Sequence, residues 1–594
     1  MDISIIIPVY NVEDYLTESL ESVRKNIEQL QAEVFLIDDG STDGSTEIAK
    51  FYAESCEKFK YYRTENTGPS CARNLAISMA SGKYMYFMDA DDILVEDILL
   101  KMFRLSEKNK TDLTMCNVAR IQNNKVTPSG LHVRAFYNLK GNITHISKHP
   151  NFVYDTTLWN KLILRSFFMK HELSFLEGYR YADIPVTLAM HHYANGVSVL
   201  RQTGYLWRVR NDSDSEKQIT KILNMKSLTD RIDILKRVLN FTRTIIADPA
   251  IEKALQIKIL DIDFNLFVDK FYLMEKDEAL AYMKRIAAFI NTNIDKSLMK
   301  EVPIKKRQAN EYILQGDYEH LVQAANYKTA NYSKAPVIET KQGLQMVLPE
   351  SIFSLQDRSI KNEFINTPPS CYVDFVKTEG AKLSLFGHCY YWRISTPEGS
   401  DQHLKAALLN ETTGESVPLD ISASDCSYLT NNKGMLLNYD DYTYYNYNYN
   451  GAGFQIDVDF ETLTQHKEFL EDSVIMVSYE NIIDSGETLL RGAGKEVREA
   501  FKGFTYVTDQ CEGTIGLDKQ NIVLIHLHIG QTKDQKAGGS SAKRTKDTLI
   551  IQKLKEEQRK YREEQRKYNA VCNSKSYKLG RVLTWLPRKI RDML

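Results

Sequence analysis

Residues 34–45 read VFLIDDGSTDGS and residues 82–92 read GKYMYFMDADD. Each is an apolar run of strand length, rich in β-branched and aromatic residues, that ends abruptly in aspartates. Outward from these two, Ile3–Val9, Glu33–Asp38, Tyr61–Arg63, Tyr84–Asp89 and Asp112–Val118 read as strands. Between them Val12–Asn26, Ser45–Lys58, Ser70–Met79 and Glu96–Lys108 read as helices. Strands alternating with helices of this length predict βαβ units and a mostly parallel sheet. In such a sheet the ligand crevice lies outside the carboxyl ends of the strands. Pro8–Tyr10, Asp38–Asp39, Asn66–Gly68 and the group Asp89, Asp91 and Asp92 follow successive strands, so they are expected to converge on one pocket. Clustered carboxylates repel unless a cation neutralises them. An oxygen-rich set of this kind suits Mg²⁺ or Mn²⁺, with a phosphate-bearing substrate completing the shell. Taken singly, IDDGSTDGS is ordinary turn chemistry and FMDADD an ordinary helix start. Their joint occurrence after apolar strands, about 50 residues apart, points instead to a site.

The remaining composition narrows the class. A chain of 594 residues implies about three to five domains. Hydrophobic residues at 43% and charged residues at 26% are those of a globular protein. The 76 Lys and Arg against 78 Asp and Glu leave a net charge of −2, which provides no field to attract nucleic acid. The 8 Cys are scattered without a CxxC pair, so neither a disulfide framework nor a zinc site is expected, and a reducing compartment is. MDISIIIPVYN carries an acid at position 2 and too short an apolar run for a signal peptide. No apolar stretch reaches the roughly 18 residues of a membrane span. A cytoplasmic location is the expectation.

The domain plan reads as a sheet domain over 1–220, a helical linker domain over 221–330, a β-rich accessory domain over 331–530, a flexible Lys-, Gly- and Ser-rich linker over 531–547 and a helical tail over 548–594. In the second part Ile257, Leu260, Phe264 and Phe267 recur at three and four spacing, as in a bundle or a spacer. Short alternating runs such as Leu383–Phe386, Phe454–Val458 and Ile522–His526, separated by turn signals, predict a β-sandwich-like module or two small ones. The tract Tyr439–Asn448 is either a sheet surface with aromatic cross-strand pairs or a carbohydrate-contacting platform. EEQRKYR at 556–562 and EEQRKYN at 563–569 form a seven-residue echo, read as a short coiled-coil seam of a homo-oligomer or as a lone solvated helix. The last residues, SKSYKLGRVLTWLPRKIRDML, are basic and amphipathic; they suit either an anionic membrane surface or docking on the protein itself.

The ordered set IIIPVYN, VFLIDDGSTDGS, ENTGPSCARN and GKYMYFMDADD resembles the nucleotide-binding half of family 2 glycosyltransferases with the Rossmann-like GT-A fold. LWNKLILRSFF, FLEGYRYADIPV and YLWRVRNDSDS resemble the acceptor half of bacterial members that build surface polysaccharides and teichoic acids. The resemblance covers about residues 1–215. The fold class expected is therefore an α/β GT-A domain, a helical spacer, a β-sandwich-like region and a C-terminal helix.

The resemblance implies roles position by position. Pro8, Tyr10 and Asp38, with Asp39 in the same loop, would hold the nucleobase and ribose of a nucleoside-diphosphate sugar. Asn66 and Arg73 would line the nucleotide and donor-sugar side. Asp89 and Asp91 match the DxD motif, with Asp91 on the metal (Mn²⁺ or Mg²⁺) and Asp89 on ribose or the metal's water shell. Asp183 matches the catalytic base, although family members commonly have Glu-Asp where this chain has Ala182–Asp183. Arg208, Arg210, Ser213 and Ser215 match a flap over the diphosphate. The implied enzyme is an inverting, metal-dependent glycosyltransferase. Its donor would be a UDP-hexose or UDP-N-acetylhexosamine, and its acceptor a polysaccharide, teichoic acid or lipid-linked glycan at the inner face of the cell membrane. A surface protein as acceptor, transfer of a glycerol-phosphate unit, and a non-catalytic carbohydrate-binding scaffold are the alternatives.

If the basic tail holds the protein at the membrane, deleting the residues after Asn573 releases it from vesicles containing anionic lipid in a co-sedimentation assay. Unchanged sedimentation assigns the tail another role.

Overall fold

The computed structural model describes residues 1–210, 224–327, 332–364, 367–438, 443–466, 472–492, 494–508 and 511–529. The expected linker, coiled-coil echo and basic tail lie outside them, as do Ser213 and Ser215. Among the described residues no helix is long and apolar enough to cross a membrane.

The N-terminal sheet is built from β1 (Ile3–Val9), β2 (Ala32–Asp38), β3 (Phe59–Arg63), β4 (Tyr84–Phe87), β5 (Ile93–Leu94), β6 (Leu113–Gln122), β7 (Lys125–Pro128), β8 (Ile143–Thr144), β9 (Lys161–Leu164) and β10 (Val197–Arg208). Its main path runs β3-β2-β1-β4-β9-β6-β10-β5. The first four strands in that order are parallel, as the alternation predicts. β9 then runs antiparallel to both β4 and β6, and β10 lies parallel to β6. β2 and β4 are buried along their whole length, which is why they read as unbroken apolar runs rather than alternating ones. The helices α1 (Glu13–Asn26), α2 (Ser45–Ser55), α3 (Pro69–Met79) and α4 (Ile98–Asn109) fall where the periodicity places them. α3 opens with Gly68 at φ 96° and Pro69, a pairing in which glycine supplies the turn and proline the pre-set first helical φ. It contributes Ala72, Ala76 and Ile77 to the same core as Ile6, Phe35 and Phe87.

LWNKLILRSFF supplies β9 and the helix after it, and FLEGYRYADIPV leads into a helix beginning at Asp183. α5 (Gly130–Ala135), α6 (Arg165–Lys170) and α7 (Asp183–Tyr193) surround a polar group with no access to water. Asp155, Lys161, His132 and His191 are each 1% exposed or less. Lys161 Nζ lies 2.6 Å from Asp155 Oδ2, and His191 Nε2 lies 3.0 Å from the same oxygen. Burial opposes ionisation of Asp155, but the Lys161 ammonium and the bonds from both histidines hold its carboxyl well below the usual range. Burial lowers the pKa of both imidazoles, against their bonds to Asp155. The LWNK motif thus plants an ion pair in the core and ties α7 to the sheet.

Residues Met225–Phe241, Pro249–Lys258, Lys276–Asn293, Ile304–Gln315 and Tyr318–Asn326 are helical. They share one continuous apolar core with the sheet domain, in which Leu228, Leu255, Phe264 and Ile286 join Phe87, Phe168 and Ile184. Ile257, Leu260, Phe264 and Phe267 are all buried, although Ile259–Asp263 is wound as a π-helix between the flanking turns.

The β-rich region is one module. Strands Ser370–Glu379, Lys382–Tyr390, Gly453–Asp459, Ser416–Ala423, His403–Asn410, Ser473–Glu480, Val523–Ile529 and Cys511–Leu517 follow one another along a single hydrogen-bonded path. Val373, Leu385, Ile456, Ile475 and Ile525 meet in a common core. Of the tyrosine tract, Thr443–Asn446 pairs with Met435–Asn438 as a hairpin. Tyr447 is buried with its hydroxyl donating to the Val337 carbonyl, whereas Tyr444 is exposed.

Removing one member of the Asp155–Lys161 pair strands the other charge in the core. Lys161→Met is expected to cost about 3–5 kcal/mol of stability, measured by urea unfolding. A loss below 1 kcal/mol would show that the pair is dispensable.

Candidate active site

The parallel order β3-β2-β1-β4 brings the four strand ends side by side, so Pro8–Tyr10, Asp38–Asp39, Asn66–Gly68 and Asp89–Asp92 meet at one edge of the sheet. The aspartates there divide into two groups by what neutralises them.

Asp38, Asp39 and Asp92 are occupied by uncharged donors and by a single guanidinium. Asp38 is fully buried; its Oδ1 accepts from the Ser41 amide at 2.8 Å and its Oδ2 from Thr46 Oγ1 at 2.7 Å, Tyr61 OH at 2.9 Å and Arg63 at 2.7 Å. Burial opposes the charge, and these bonds outweigh it and hold the carboxyl below its ordinary range. Asp39 accepts from the amides of Thr67 at 2.9 Å and Gly68 at 2.8 Å, joining the loop after β2 to the one after β3. Asp92, 1% exposed, accepts from Tyr205 OH at 2.6 Å and from the Arg208 amide at 2.7 Å. Its burial, with Asp91 and Asp89 beside it, pushes its pKa well above the carboxylate range.

Among the described residues, Asp89 and Asp91 are balanced by long basic side chains. Arg73 reaches Asp89 Oδ1 at 2.8 Å from the first turns of α3, and its guanidinium lies over the Phe175 ring. Arg210 reaches Asp91 Oδ2 at 2.8 Å, and Arg208 Nε donates to the Asp91 carbonyl at 2.6 Å. Arg208 and Arg210 both lie over the Tyr15 ring, at 5.1 and 5.3 Å. Beside them Asn11, Thr42 and Asp43 join Arg210 around a cavity of about 280 Å³. Tyr10 and Asn66 are exposed on the rim, while Pro8 is half-buried at the end of β1.

Asp183 is the first residue of α7, half-buried, and faces the same cleft: its carboxylate is near enough to raise the pKa of Asp89. Burial raises Asp183 itself, against Arg73 and Arg231. The residue two before it, Tyr181, has a left-handed backbone at φ 62°. The Arg231 guanidinium, from the helix Met225–Phe241, stacks 3.7 Å from the Tyr181 ring centroid and pairs with Asp263 at 3.1 Å. Trp159 stacks on Tyr205, with centroids 4.3 Å apart and planes 12° from parallel.

The structure therefore brings together Asp38, Asp39, Arg73, Asp89, Asp91, Asp183, Arg208 and Arg210, with Pro8, Tyr10 and Asn66 at the edge. Sequence reasoning missed Tyr205, Trp159, Tyr181 and Arg231. The first three stand inside motifs that drew attention for other residues, but no spacing announces that they touch the site. Arg231 carries no local signal at all. Among the described residues, no group of three or more His, Cys, Asp or Glu is placed to hold a metal by itself. Two carboxylates, Asp89 and Asp91, fit Mg²⁺ or Mn²⁺ when substrate phosphates complete the shell, since such ions bind through one or two carboxylates plus phosphate oxygens and water.

Residues 4–171 match the family model described as glycosyl transferase family 2. The uncharacterized glycosyltransferase EpsJ of Bacillus subtilis (strain 168) is 30% identical over 221 residues, which are 36% of this chain and 63% of EpsJ. The poly(ribitol-phosphate) beta-glucosyltransferase of Bacillus spizizenii is 30% identical over 218 residues, 36% of this chain and 33% of that protein. The chain thus spans less than two thirds of the length of either relative. The crystal structure of S. aureus TarS aligns over 91% of this chain and 88% of its own, at 16% identity and a TM-score of 0.45. Residues 4–171, which hold the strand-end loops and the Asp89–Asp91 pair, are thus the part of the chain similar to glycosyl transferase family 2.

Proposed function

We propose that the protein transfers a sugar from a nucleotide sugar, a UDP-hexose or UDP-N-acetylhexosamine, to a hydroxyl of a cell-surface polymer or lipid-linked glycan at the inner face of the membrane, inverting the anomeric carbon. The observation that carries this reading is the arrangement of charge in the cleft. Asp89 and Asp91 with Arg73, Arg208 and Arg210 form a polar clamp on the nucleotide side, and Asp183 faces the DxD pair from a different element, the start of α7. The likeness to a poly(ribitol-phosphate) beta-glucosyltransferase supports a polyol-phosphate polymer as acceptor.

Asp91 and Asp89 would hold Mn²⁺ or Mg²⁺, which when bound supplies positive charge against the diphosphate leaving group. Arg210, which pairs with the Asp91 carboxylate, and Arg208, which bonds the Asp91 carbonyl, would turn their guanidiniums onto the diphosphate, where negative charge grows as the bond breaks. Asp183 accepts the proton of the acceptor hydroxyl as its oxygen attacks the anomeric carbon. The bond from that carbon to the diphosphate oxygen breaks, and the electron pair leaves with the diphosphate. One displacement inverts the configuration. The raised pKa that burial gives Asp183 makes it a stronger base than an exposed aspartate. Arg231, stacked on Tyr181, holds the turn that presents it.

Asp183→Asn is expected to lower kcat about 10²–10⁴-fold while leaving the melting temperature near wild type, measured by nucleotide release from a panel of UDP-, GDP-, CDP- and dTDP-sugars with acceptor present. Near-wild-type turnover removes Asp183 from the reaction. In a second test, UDP with Mn²⁺ at about 100 times its Kd stabilises the wild-type protein by about 2.7 kcal/mol, and both EDTA and Asp91→Ala abolish that gain. A gain that survives EDTA refutes the metal; no gain with any nucleotide moves the weight to a scaffold.

A further inference from the structure

Strand β10 shifts register twice against β6, between Leu200 and Thr203 and again between Thr203 and Tyr205. A bulge takes backbone groups out of the ladder, and in a buried strand those groups need other partners. The β-rich module provides them. Glu411, 1% exposed, accepts through Oε1 from the backbone amides of Arg201 and Gln202, and through Oε2 from the Gln202 side-chain amide at 2.9 Å. Asp518 Oδ2 accepts from the Thr203 amide at 2.8 Å and from Thr203 Oγ1 at 2.6 Å. The carbonyl of Arg201 is taken by Asn117 Nδ2 at 3.0 Å.

At the second shift the strand has no slack. A Cβ on Gly204 would lie 2.3 Å from Ile98 Cγ1 and 2.6 Å from Cys116 Sγ, so the backbone there is pressed against α4 and β6. Tyr205 and Leu206 pair with Leu94 and Ile93 of β5. The strand then delivers Tyr205 to Asp92 and, through Arg208 and Arg210, two guanidiniums to the Asp91 residue. What sets the register at 201–203 therefore sets the reach of the residues that hold the DxD loop.

We propose that Glu411 and Asp518 are positioning residues for the sugar-transfer site: by accepting the bulged amides of β10, they fix Tyr205, Arg208 and Arg210 against the Asp89–Asp92 loop, which makes the β-rich module a working part of the site. The effect on turnover rests on the proposed glycosyltransferase function, whereas the coupling along β10 is a property of the fold. Hydrogen bonds from amides to carboxylates are charge-assisted. Deleting the carboxylate leaves buried donors unpaired, and the strand can satisfy them only by moving.

The test uses the full-length protein with Glu411→Ala, Asp518→Ala and the conservative Glu411→Gln, whose amide oxygen still accepts. Asp484→Ala is the control; Asp484 bonds Tyr137, so this variant breaks a contact between module and sheet domain away from β10. Two readouts are taken below the melting transition: amide hydrogen exchange along 201–208, and kcat and donor KM for nucleotide release. Glu411→Ala and Asp518→Ala are expected to speed exchange both at 201–203 and at 205–208, and to lower kcat by about tenfold or more. Glu411→Gln recovers most of the loss, and Asp484→Ala stays within about twofold of wild type on both readouts. Faster exchange confined to 201–203, an unchanged kcat in both alanine variants, or an equal loss in Asp484→Ala overturns the proposal. A wild-type protein that releases nucleotide from no donor overturns the functional reading instead, and the exchange pattern still decides whether the module sets β10.

Discussion

A carboxylate buried at the end of a strand has to be met by donors, and this requirement organises the molecule. Five aspartates crowd the carboxyl edge of the sheet on two loops, and they are met in two ways. Asp38, Asp39 and Asp92 receive backbone amides and the hydroxyls of Thr46, Tyr61 and Tyr205, groups that belong to the frame and stay where the fold puts them, with Arg63 the one guanidinium among them, at Asp38. Asp89 and Asp91 receive arginines from α3 and from the end of β10. Long guanidinium side chains can leave one anion for another at small cost in strain, because their stems are flexible and their charge is never lost. The first group braces the cleft. The second is the set that the proposed function assigns to a cation and a diphosphate.

Neither brace is local. Asp92 depends on Tyr205 and Arg208, more than a hundred residues away, and Tyr205 is itself held by the Trp159 ring stacked on it. Asp183 depends on a strained turn at Tyr181 that Arg231 clamps from the following helix, while Lys258 and Arg231 share Asp263 behind it. The helical residues are thus packed into the wall behind Asp183, in one core with the sheet. On the opposite flank Glu411 sits almost wholly buried against β10, and burial raises its pKa to about 7 against the attraction of Arg201. A carboxylate kept under that penalty is retained where its bonds fix a geometry that neutral packing would leave free.

The β-rich module shows how composition can be read too simply. Its tyrosines look alike in sequence, yet Tyr447 and Tyr449 are core residues with bonded hydroxyls, while Tyr444 faces water. Tyr444 lies on the hairpin strand Thr443–Asn446, whereas Tyr447 and Tyr449 follow that strand and join a core with Tyr390 and Cys426. The cysteines follow a similar rule: Cys371 and Cys389 face each other across two paired strands, both buried, and remain free thiols.

Local pattern was enough to place the first four parallel strands, the helices between them and the loops that gather Asp38, Asp89 and Asp91, because a strand buried on both faces must be apolar throughout and its polar residues must begin where it ends. It was enough, too, to see the helical turns around Phe264 and the short strands beyond residue 370, since period and turn chemistry are properties of neighbours in the chain. Pairing over long distance was not legible. That β9 enters the sheet antiparallel between β4 and β6, that the helices join the core of the sheet domain, and that Asp38 is consumed by four protein donors depend on which surfaces meet after folding. Glu411 and Asp518 are the clearest case. Nothing adjacent to either marks it out, and each acquires its role only where a bulge in a distant strand leaves amides that a carboxylate can take.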